Sequence, residues 1–361
     1  MVAKTSGVRI LFTGQYWPGA NSLYISRAFE QCGAIVRWVN DTRLWPEWTG
    51  TIGRVARRLL LPVVEAEWNR QVIDAFNSFK PDLVYITNAD YCRPETLAVI
   101  RQQHVPIMCF YHDPPWKNRP GSRFEENITL FDLIATTRQW HEAEFKEAGA
   151  KEVAVVRFGY DPLAHFPVEA DKKSLEFYGT DITFVGTNET RRTQELTTLV
   201  SGQFPYSFRL WGGLWDRLPP TSPILPYWQG RPIFEQEIPI IYACSKIALH
   251  WLNHDPDSPD PAIQKGDQHK SRTFQIPACG NAIMLAQRSA QHEQFFKEDV
   301  EAVFFSDIPE LREKLAYWLA PSRDEARRHM ADAARARCLK EDYTYVPVVR
   351  QFLKHFDLPG T

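Results

Sequence analysis

The strongest constraint on the fold is a regular alternation of short apolar runs with helix-forming segments in the first half of the chain. The runs are bounded by turn residues and cover residues 8–13, 34–39, 82–87, 106–111, 131–136 and 152–157. Short apolar runs of this kind are typical of strands that are buried on both faces, and strands that alternate with helices form parallel sheets. The sequence therefore predicts a doubly wound α/β domain.

The same pattern begins again after an irregular segment. Residues 159–173 lack periodicity and contain Gly159, Pro162 and Pro167, so they are predicted to be a linker. Further predicted strands and helices follow at residues 181–185, 190–199, 208–211, 238–245, 247–252 and 282–286. The fold class is therefore α/β, with two Rossmann-like domains at residues 1–160 and 161–342. Two such domains are expected to leave a cleft between them, where folds of this kind bind ligands.

The stretch at residues 271–286 carries the clearest sign of a ligand. It starts with Ser271, Arg272 and Thr273, continues as a short amphipathic turn to Gly280, and ends in an apolar run. Free N–H groups and the helix dipole favour negative charge at a helix N-terminus, and an adjacent arginine adds to this. The order of residues therefore predicts a site for a phosphate-bearing ligand.

Charge and cysteine usage exclude several classes of function. The formal net charge is −2, and no long block of one sign is present, which argues against nucleic-acid binding. The cysteines are scattered, without pairs at metal-ligand spacing, as expected for reduced thiols. No signal peptide is expected, because polar residues 1–7 lead directly into the first predicted strand, and no apolar run approaches the roughly 20 residues of a membrane span. A cytoplasmic location is expected.

Two other clusters each allow two interpretations. Arg54, Arg57 and Arg58 lie beside the apolar residues 59–61, which suits either a solvated arginine face or peripheral contact with a membrane or an anionic acceptor. Histidines and aspartates gather between residues 250 and 269, but their spacing follows no helix or strand period, so a polar loop is preferred over a metal site. The residues concerned are His250, His254, His269, Asp255, Asp257 and Asp260.

Several motifs, taken in order, resemble the GT-B glycosyltransferases and most closely their CgeB-like branch. They are Phe-Asp-Leu-Ile-Ala-Thr-Thr at 131–137, Phe-Gly-Tyr-Asp at 158–161, Asp-Ile-Thr-Phe-Val-Gly-Thr at 181–187, the pair Arg191 and Arg192, Leu-Trp-Gly at 210–212, Tyr242 with Ser-Lys-Ile-Ala-Leu at 245–249, and Arg-Thr-Phe-Gln-Ile-Pro-Ala-Cys-Gly at 272–280. The resemblance implies a nucleotide-diphosphate sugar as co-substrate, with UDP, GDP and TDP all open. It implies a glycan, lipid-linked or protein acceptor, no permanently bound cofactor and no metal. It also implies that residues 343–361 form a terminal helix that packs on the first domain.

The resemblance assigns donor binding to the second domain. The positions that match the family's donor segments are Gly186, Thr187, Arg191, Arg192, Trp211, Gly212, Lys246, Ser271, Arg272, Thr273 and Gln275. Fixed cations there would stabilise the charge that develops on the leaving diphosphate. Because neighbours on a helix point about 100° apart, only one of Arg191 and Arg192 is expected to face the ligand.

Gln275 departs from the family's pattern. The related sequences usually have glutamate here, where it accepts hydrogen bonds from the ribose, and a second acid eight positions earlier, where this chain has Asp267. Glutamine loses the charge-assisted part of such a bond, on the order of 1 kcal/mol or more. Gln275 therefore gives weight to a non-catalytic GT-B binding or scaffold protein as an alternative. A GT-B-type sugar epimerase, which would need acid and base carboxylates in the cleft, is a further alternative.

The first domain holds the candidates for chemistry and for acceptor binding. His112 and Asp113 follow a predicted strand, and either could move a proton, although His112 could instead bond a loop carbonyl and Asp113 could form a turn before Pro114 and Pro115. Gly14, Tyr16 and Trp17 follow the first strand, where an acceptor would enter.

Overall fold

The computed structural model describes residues 7–44, 50–113, 116–117, 119, 121–253 and 264–360. The chain forms two units. The first comprises Met1–Arg157 and Tyr345–Thr361, and the second comprises Phe158–Thr344.

The first unit is built on a parallel sheet with the strand order β2-β1-β3-β4-β5-β6. The strands are β1 (Arg9–Gly14), β2 (Ile35–Asn40), β3 (Leu83–Thr87), β4 (Ile107–Tyr111), β5 (Leu133–Thr136) and β6 (Val153–Val155). The helices of this part are α1 (Asn21–Gln31), α2 (Gly50–Phe79), α3 (Pro94–Arg101), α4 (Phe124–Asn127) and α5 (Gln139–Glu147). Every residue of β4 is buried, as expected for a central strand with helices on both faces.

The second unit contains another parallel sheet, with the order β11-β10-β9-β7-β8. Its strands are β7 (Thr180–Val185), β8 (Phe208–Trp211), β9 (Ser245–His250), β10 (Ile283–Gln287) and β11 (Val303–Phe305). Its helices include α6 (Lys172–Tyr178), α7 (Thr190–Val200), α8 (Ile238–Ala243), α9 (Arg272–Cys279), α10 (Ala290–Phe295), α11 (Ile308–Leu319) and α12 (Asp324–Lys340). The prediction of two Rossmann-like α/β domains is confirmed.

The chain enters and leaves the second unit at neighbouring residues. The amide of Tyr160 donates to the carbonyl of Tyr343 at 3.1 Å, and Tyr160 also forms a parallel bridge with Thr344. The last helix, α13 (Val346–His355), packs on α1 in the first unit, where the Tyr345 hydroxyl lies 3.2 Å from Asn21 Oδ1. These bonds explain why the units divide after Arg157 and Thr344, a few residues from the bounds predicted from the sequence.

Two helices have local features that the sequence pattern does not indicate. Helix α2 continues through Pro62, although proline in a helix interior usually ends or kinks the helix. The predicted linker ends in α6, which is capped by Asp171 through a 2.7 Å bond from the amide of Ser174. Such a cap satisfies an N–H group that a short helix otherwise leaves open, and this explains why an aperiodic segment can still be helical.

Two loops of the second unit lie in direct backbone contact. The amide of Gly186, after β7, donates to the carbonyl of Trp211 at 2.9 Å, and the amide of Asn188 donates to that of Gly213 at 3.1 Å. Gly212 has a φ of +139°, and a Cβ atom placed there would lie 1.9 Å from the carbonyl oxygen of Gly186. Only glycine therefore fits at position 212.

We expect Gly212→Ala to lower the free energy of unfolding by about 2 kcal/mol or more, because it adds a steric clash to an unfavourable φ. Urea unfolding of the second unit measures the effect. Gly213→Ala is the matched control, since a Cβ at Gly213 meets no atom within 4 Å. Equal stability of the two variants would contradict this account of the loop contact.

Candidate functional site

The second unit has a cavity of about 290 Å³ beyond the carboxyl ends of β7 and β9. Ligands of parallel α/β sheets usually bind at this edge. Three cations and one carboxylate are in the lining, which consists of Phe184, Val185, Gly186, Thr187, Asn188, Glu189, Arg192, His250, Trp251, Asn253, Lys270 and Arg272. The cavity therefore suits an anionic ligand.

Arg192 is the buried cation of this cavity. Its side chain donates from Nη1 to the carbonyl of Thr187 at 2.7 Å and lies over the Phe184 ring, 5.5 Å from its centre. Its buried Nε has no hydrogen-bond partner among the described residues. Burial lowers the pKa of Arg192, although Glu189 and other nearby carboxylates oppose the shift. A buried donor without a partner is costly, so this nitrogen indicates a missing acceptor.

Arg191 points elsewhere, as expected for the neighbour of an inward-facing helical residue. Its Nε pairs with Glu195 at 2.8 Å on the partly exposed side of α7. Glu189 caps the helix by accepting from the amides of Arg191 and Arg192. Only Arg192 of the predicted pair lines the cavity.

Arg272 lies at the start of α9 and also lines the cavity. Its Nη1 donates to Gln275 Oε1 at 2.6 Å, and Gln275 is buried. The carbonyl predicted to accept from a ribose thus holds Arg272. Glutamine at position 275 can orient the arginine without neutralising its charge.

The backbone at the start of α9 differs from the prediction. The amides of Thr273 and Phe274 donate to the carbonyls of Lys270 and Ser271, each at 3.0 Å, so these N–H groups are already satisfied. Thr273 is fully buried, and its hydroxyl lies near two histidines of the core. Arg272 rather than these amides supplies positive charge at this helix start.

Lys246 is not brought to the cavity. It lies at the amino end of β9, the opposite edge of the sheet, where its Nζ pairs with Asp181 at 2.8 Å. Trp211 is buried beneath Arg231, and Gly212 shapes the loop. Lys270 was missed, although it directly precedes Ser271. Its Nζ lies 3.2 Å from Asp267, the acid noted in the sequence eight positions before Gln275.

The first unit has a larger cavity, of about 760 Å³, at the carboxyl edge of its own sheet. Polar side chains predominate in the lining, which includes Gln15, Trp17, Asn21, Ser22, Asp41, Thr42, Thr87, Asn88, Asp90, His112 and Asp113. The structure thus places Trp17, His112 and Asp113 in the lining of one cavity. Tyr16 is exposed, and its amide donates to Asn40. Gly14 lies against Thr87, whose Oγ1 would be 2.8 Å from an added Cβ.

Asp113 is held by several donors and cations. Its Oδ2 accepts from Asn88 at 3.0 Å and lies 3.1 Å from Arg119, while His112 Nε2 lies 3.8 Å from Oδ1. Burial raises the pKa of Asp113, but the charges of His112, Arg119 and Arg138 outweigh burial and bring the pKa below its usual value. Asp113 is therefore ionised at neutral pH, which makes it a weak proton acceptor. Pro114 and Pro115, with which it was predicted to form a turn, lie outside the described residues.

The pKa of Asp41 is raised, whereas that of Asp113 is lowered. Asp41 follows β2, and its Oδ1 accepts from Trp68 Nε1 at 2.6 Å. Burial raises the pKa of Asp41 to about 7, the Trp68 bond opposes the shift, and Asp90 adds to it. Burial also raises the pKa of Asp90, which lines the same cavity. Sequence reasoning missed this pair because its proximity results from tertiary contacts.

The described part of the chain contains no group of three or more histidine, cysteine or acidic side chains that could hold a metal ion. His254, Asp255, Asp257 and Asp260 lie outside that part. All the cysteines are buried free thiols.

Known proteins provide an independent comparison. Residues 191–354 match a family model described as glycosyl transferase-like. No curated protein sequence is significantly similar to this chain. The likeness in sequence is therefore concentrated in the second half, which contains the basic cavity.

Solved structures show similarity along almost the whole chain. Sucrose-phosphate synthase from Thermosynechococcus elongatus superposes with a TM-score of 0.68 at 12% identity, covering 97% of this chain and 99% of that one. HepE from Anabaena in complex with UDP-glucose has a TM-score of 0.61 at 14% identity, with the same coverage. A candidate UDP-N-acetylglucosamine 2-epimerase from Listeria monocytogenes has a TM-score of 0.56 at 9% identity, covering 98% of this chain and 97% of that one. The fold is that of GT-B proteins.

The raised pKa of Asp41 predicts a pH-dependent stability. Between its unfolded value of 3.8 and about 7 the folded state holds a proton that the unfolded state releases, so this residue's contribution to stability falls as pH rises. The loss amounts to at most about 1.4 kcal/mol per pH unit. We therefore expect Asp41→Asn to stabilise the protein relative to wild type more at pH 8 than at pH 5, as measured by urea unfolding.

Asp113→Asn serves as the control in the same cavity. Its lowered pKa means that removing the charge is expected to destabilise the protein at pH 8, because favourable bonds to Arg119 and Asn88 are weakened. A pH-independent effect of Asp41→Asn would show that the carboxyl is not protonated in the folded state.

Proposed function

We propose that this protein transfers a sugar from a nucleotide-diphosphate sugar, bound by the second unit, to an acceptor bound by the first. The observation that carries the proposal is the basic cavity after β7 and β9, where Arg192, Lys270 and Arg272 converge. The glycosyl transferase-like match over residues 191–354 and the GT-B fold support it.

The chemistry of such a transfer suits these side chains. As the glycosidic bond breaks, charge develops on the diphosphate, and cations held in place stabilise that charge more than they stabilise the bound substrate. Arg272 is oriented by Gln275, and Arg192 is anchored on Thr187, so neither needs to reorganise. Three cations can provide this stabilisation directly, so we propose a reaction without a metal. The UDP-glucose bound by HepE makes uridine nucleotides the first donors to test.

The acceptor is proposed to bind in the first unit beside Trp17, whose ring is partly exposed. In this cavity Asp41 and the neutral form of His112 are the candidates to take a proton from an acceptor hydroxyl, because the neighbouring cations, Arg119 among them, make Asp113 a weak base. Asp113 is assigned to electrostatic support. Polar lining with an aromatic face suits a sugar hydroxyl as the nucleophile.

An epimerase is the second candidate, because the similar structures include the Listeria candidate epimerase. Product analysis separates the two activities. A transferase releases free nucleoside diphosphate and glycosylates an acceptor. An epimerase instead converts the nucleotide sugar into its epimer. A non-catalytic binding protein would bind nucleotide and release nothing.

Arg272→Ala is expected to weaken UDP binding about 10-fold or more, because it removes a charge-assisted contact to the diphosphate. Isothermal titration with UDP and UDP-glucose measures the change. Lys246→Ala is the matched control, since it removes a cation from the opposite edge of the same sheet. If wild type binds none of the UDP, GDP and TDP nucleotides, or if both variants bind like wild type, the donor-site proposal fails.

An exposed apolar stripe on α2 bears on the class of acceptor. Val55, Leu59 and Val63 recur every four residues, with exposed fractions of 52%, 73% and 64%, and Leu61 on the same helix lines the cavity of the first unit. The side chains of Arg54, Arg57 and Arg58 lie outside the described set, but their positions add positive charge to this part of the sequence. We propose that the stripe contacts an anionic membrane and that the acceptor is lipid-linked. None of the described helices has the length and apolar character needed to span a bilayer.

Replacing Leu59 and Val63 by serine is expected to reduce binding to phosphatidylglycerol vesicles about 10-fold or more, because neither position then buries an apolar side chain in the membrane. Vesicle co-sedimentation measures this, with Leu339→Ser, an exposed apolar residue of α12, as the control. Failure of the wild type to bind such vesicles would instead favour a soluble glycan or a protein acceptor.

A further inference from the structure

A buried chain of hydrogen bonds leads from the core of the second unit to the basic cavity. It links the carbonyl of Gln287, His292, Thr273 and His250, of which His250 also lines the cavity. Each hydrogen in such a chain can be assigned, because a carbonyl only accepts and a hydroxyl carries a single hydrogen. The chain therefore determines which nitrogen of His250 is protonated.

His292 is fully buried next to Gln287 in this chain of hydrogen bonds. Its Nδ1 lies 2.8 Å from the carbonyl oxygen of Gln287, so Nδ1 carries the hydrogen. Burial lowers the pKa of His292 to about 4, so the ring is neutral at pH 7 and Nε2 is an acceptor. Thr273 Oγ1 lies 2.9 Å from this Nε2 and must donate its only hydrogen there.

His250 then has one possible tautomer. Its Nε2 lies 3.1 Å from Thr273 Oγ1, whose hydrogen is already used, so Nε2 of His250 must donate. The amide of Lys270 donates to the second lone pair of the same oxygen, also at 3.1 Å. Thr273 Oγ1 thus makes all three bonds that a hydroxyl can make.

The other ring nitrogen of His250 is consequently an unprotonated acceptor. Burial lowers the pKa of His250 well below its usual value, and the charges of Lys270, Arg192 and Arg272 lower it further, so the ring stays neutral. Nδ1 has no hydrogen-bond partner among the described residues. The lone pair therefore lies in a cavity whose lining also includes the three cations Arg192, Lys270 and Arg272.

We propose that His250 Nδ1 accepts a hydrogen bond from a hydroxyl group of the ligand, and that Thr273 is the positioning residue that fixes this tautomer. A phosphate oxygen would be repelled by the lone pair, so the two kinds of group sort the ligand: oxyanions to Arg192, Lys270 and Arg272, and a hydroxyl to His250. The identity of the ligand rests on the proposed function, and the hydroxyl belongs either to the ribose or to the transferred sugar.

The tautomer is tested directly by ¹⁵N NMR of histidine-labelled protein. We expect the Nε2–H form of His250 in wild type and in Thr273→Ser, and loss of the single form in Thr273→Val, which keeps the shape of threonine but lacks the hydroxyl. A protonated Nδ1 of His250 in wild type would overturn the inference, whatever the protein binds.

Affinities of variants for ligands with and without a given hydroxyl test the contact between His250 and the ligand. His250→Phe and Thr273→Val are expected to weaken UDP or UDP-glucose binding about 10-fold, with Thr273→Ser near wild type. If the partner is a ribose hydroxyl, neither variant weakens binding of the deoxy-UDP that lacks it. If the partner is a sugar hydroxyl, the loss appears with UDP-glucose and is absent with UDP.

Equal losses of affinity in these variants for every ligand, with and without its hydroxyls, would show that His250 and Thr273 have only a structural role. That result would overturn the proposed contact. This outcome is separate from failure of the donor site itself. Nucleotide binding that depends on Arg272 but not on His250 removes this inference alone, whereas a complete lack of nucleotide binding removes both.

Discussion

The close approach of two backbones at Gly186 and Gly212 holds the loop after β7, which lines the basic cavity. Trp215 Nε1 adds a 2.9 Å bond to the carbonyl of Gly186, and Asn188 Nδ2 donates to Leu214 at 3.0 Å. The loop after β7 is thereby held along its length before α7 begins. Since Arg192 donates to Thr187 in this same loop, the position of the buried cation depends on the glycine contact. Such preorganisation spares the site a rearrangement when charge appears.

Most of the strands could be predicted because their apolar runs are short and bounded by turn residues. The bounds of β8, Phe208–Trp211, agree with the predicted run at residues 208–211. β11 was missed because it has only three residues, too few for a periodic signal. The full length of α2 could not be predicted, since proline usually ends a helix and tertiary packing can nevertheless maintain a helix through it.

The candidate site could be predicted only where the local sequence determines which way a side chain points. The choice between Arg191 and Arg192 follows from their adjacency on a helix, and Arg272 follows from its place before an amphipathic turn. Lys246 was predicted to bind the donor although it lies at the opposite edge of the sheet, because a short motif does not tell which edge a strand residue occupies. The roles of Gln275, His250 and Asp41 arise from contacts across the fold, with partners that range from 3 to 49 positions away.

The pairing of Tyr160 with Tyr343 and Thr344 makes the second unit an insertion within the first. The chain returns to where it left, so the ends that lead back into the first unit are held a single hydrogen bond apart. Once the second unit has folded, the entropy cost of bringing α13 back to α1 is that of a short loop rather than of a long one. Evolution can therefore exchange or alter the inserted unit while the two chain segments of the first unit keep their partners.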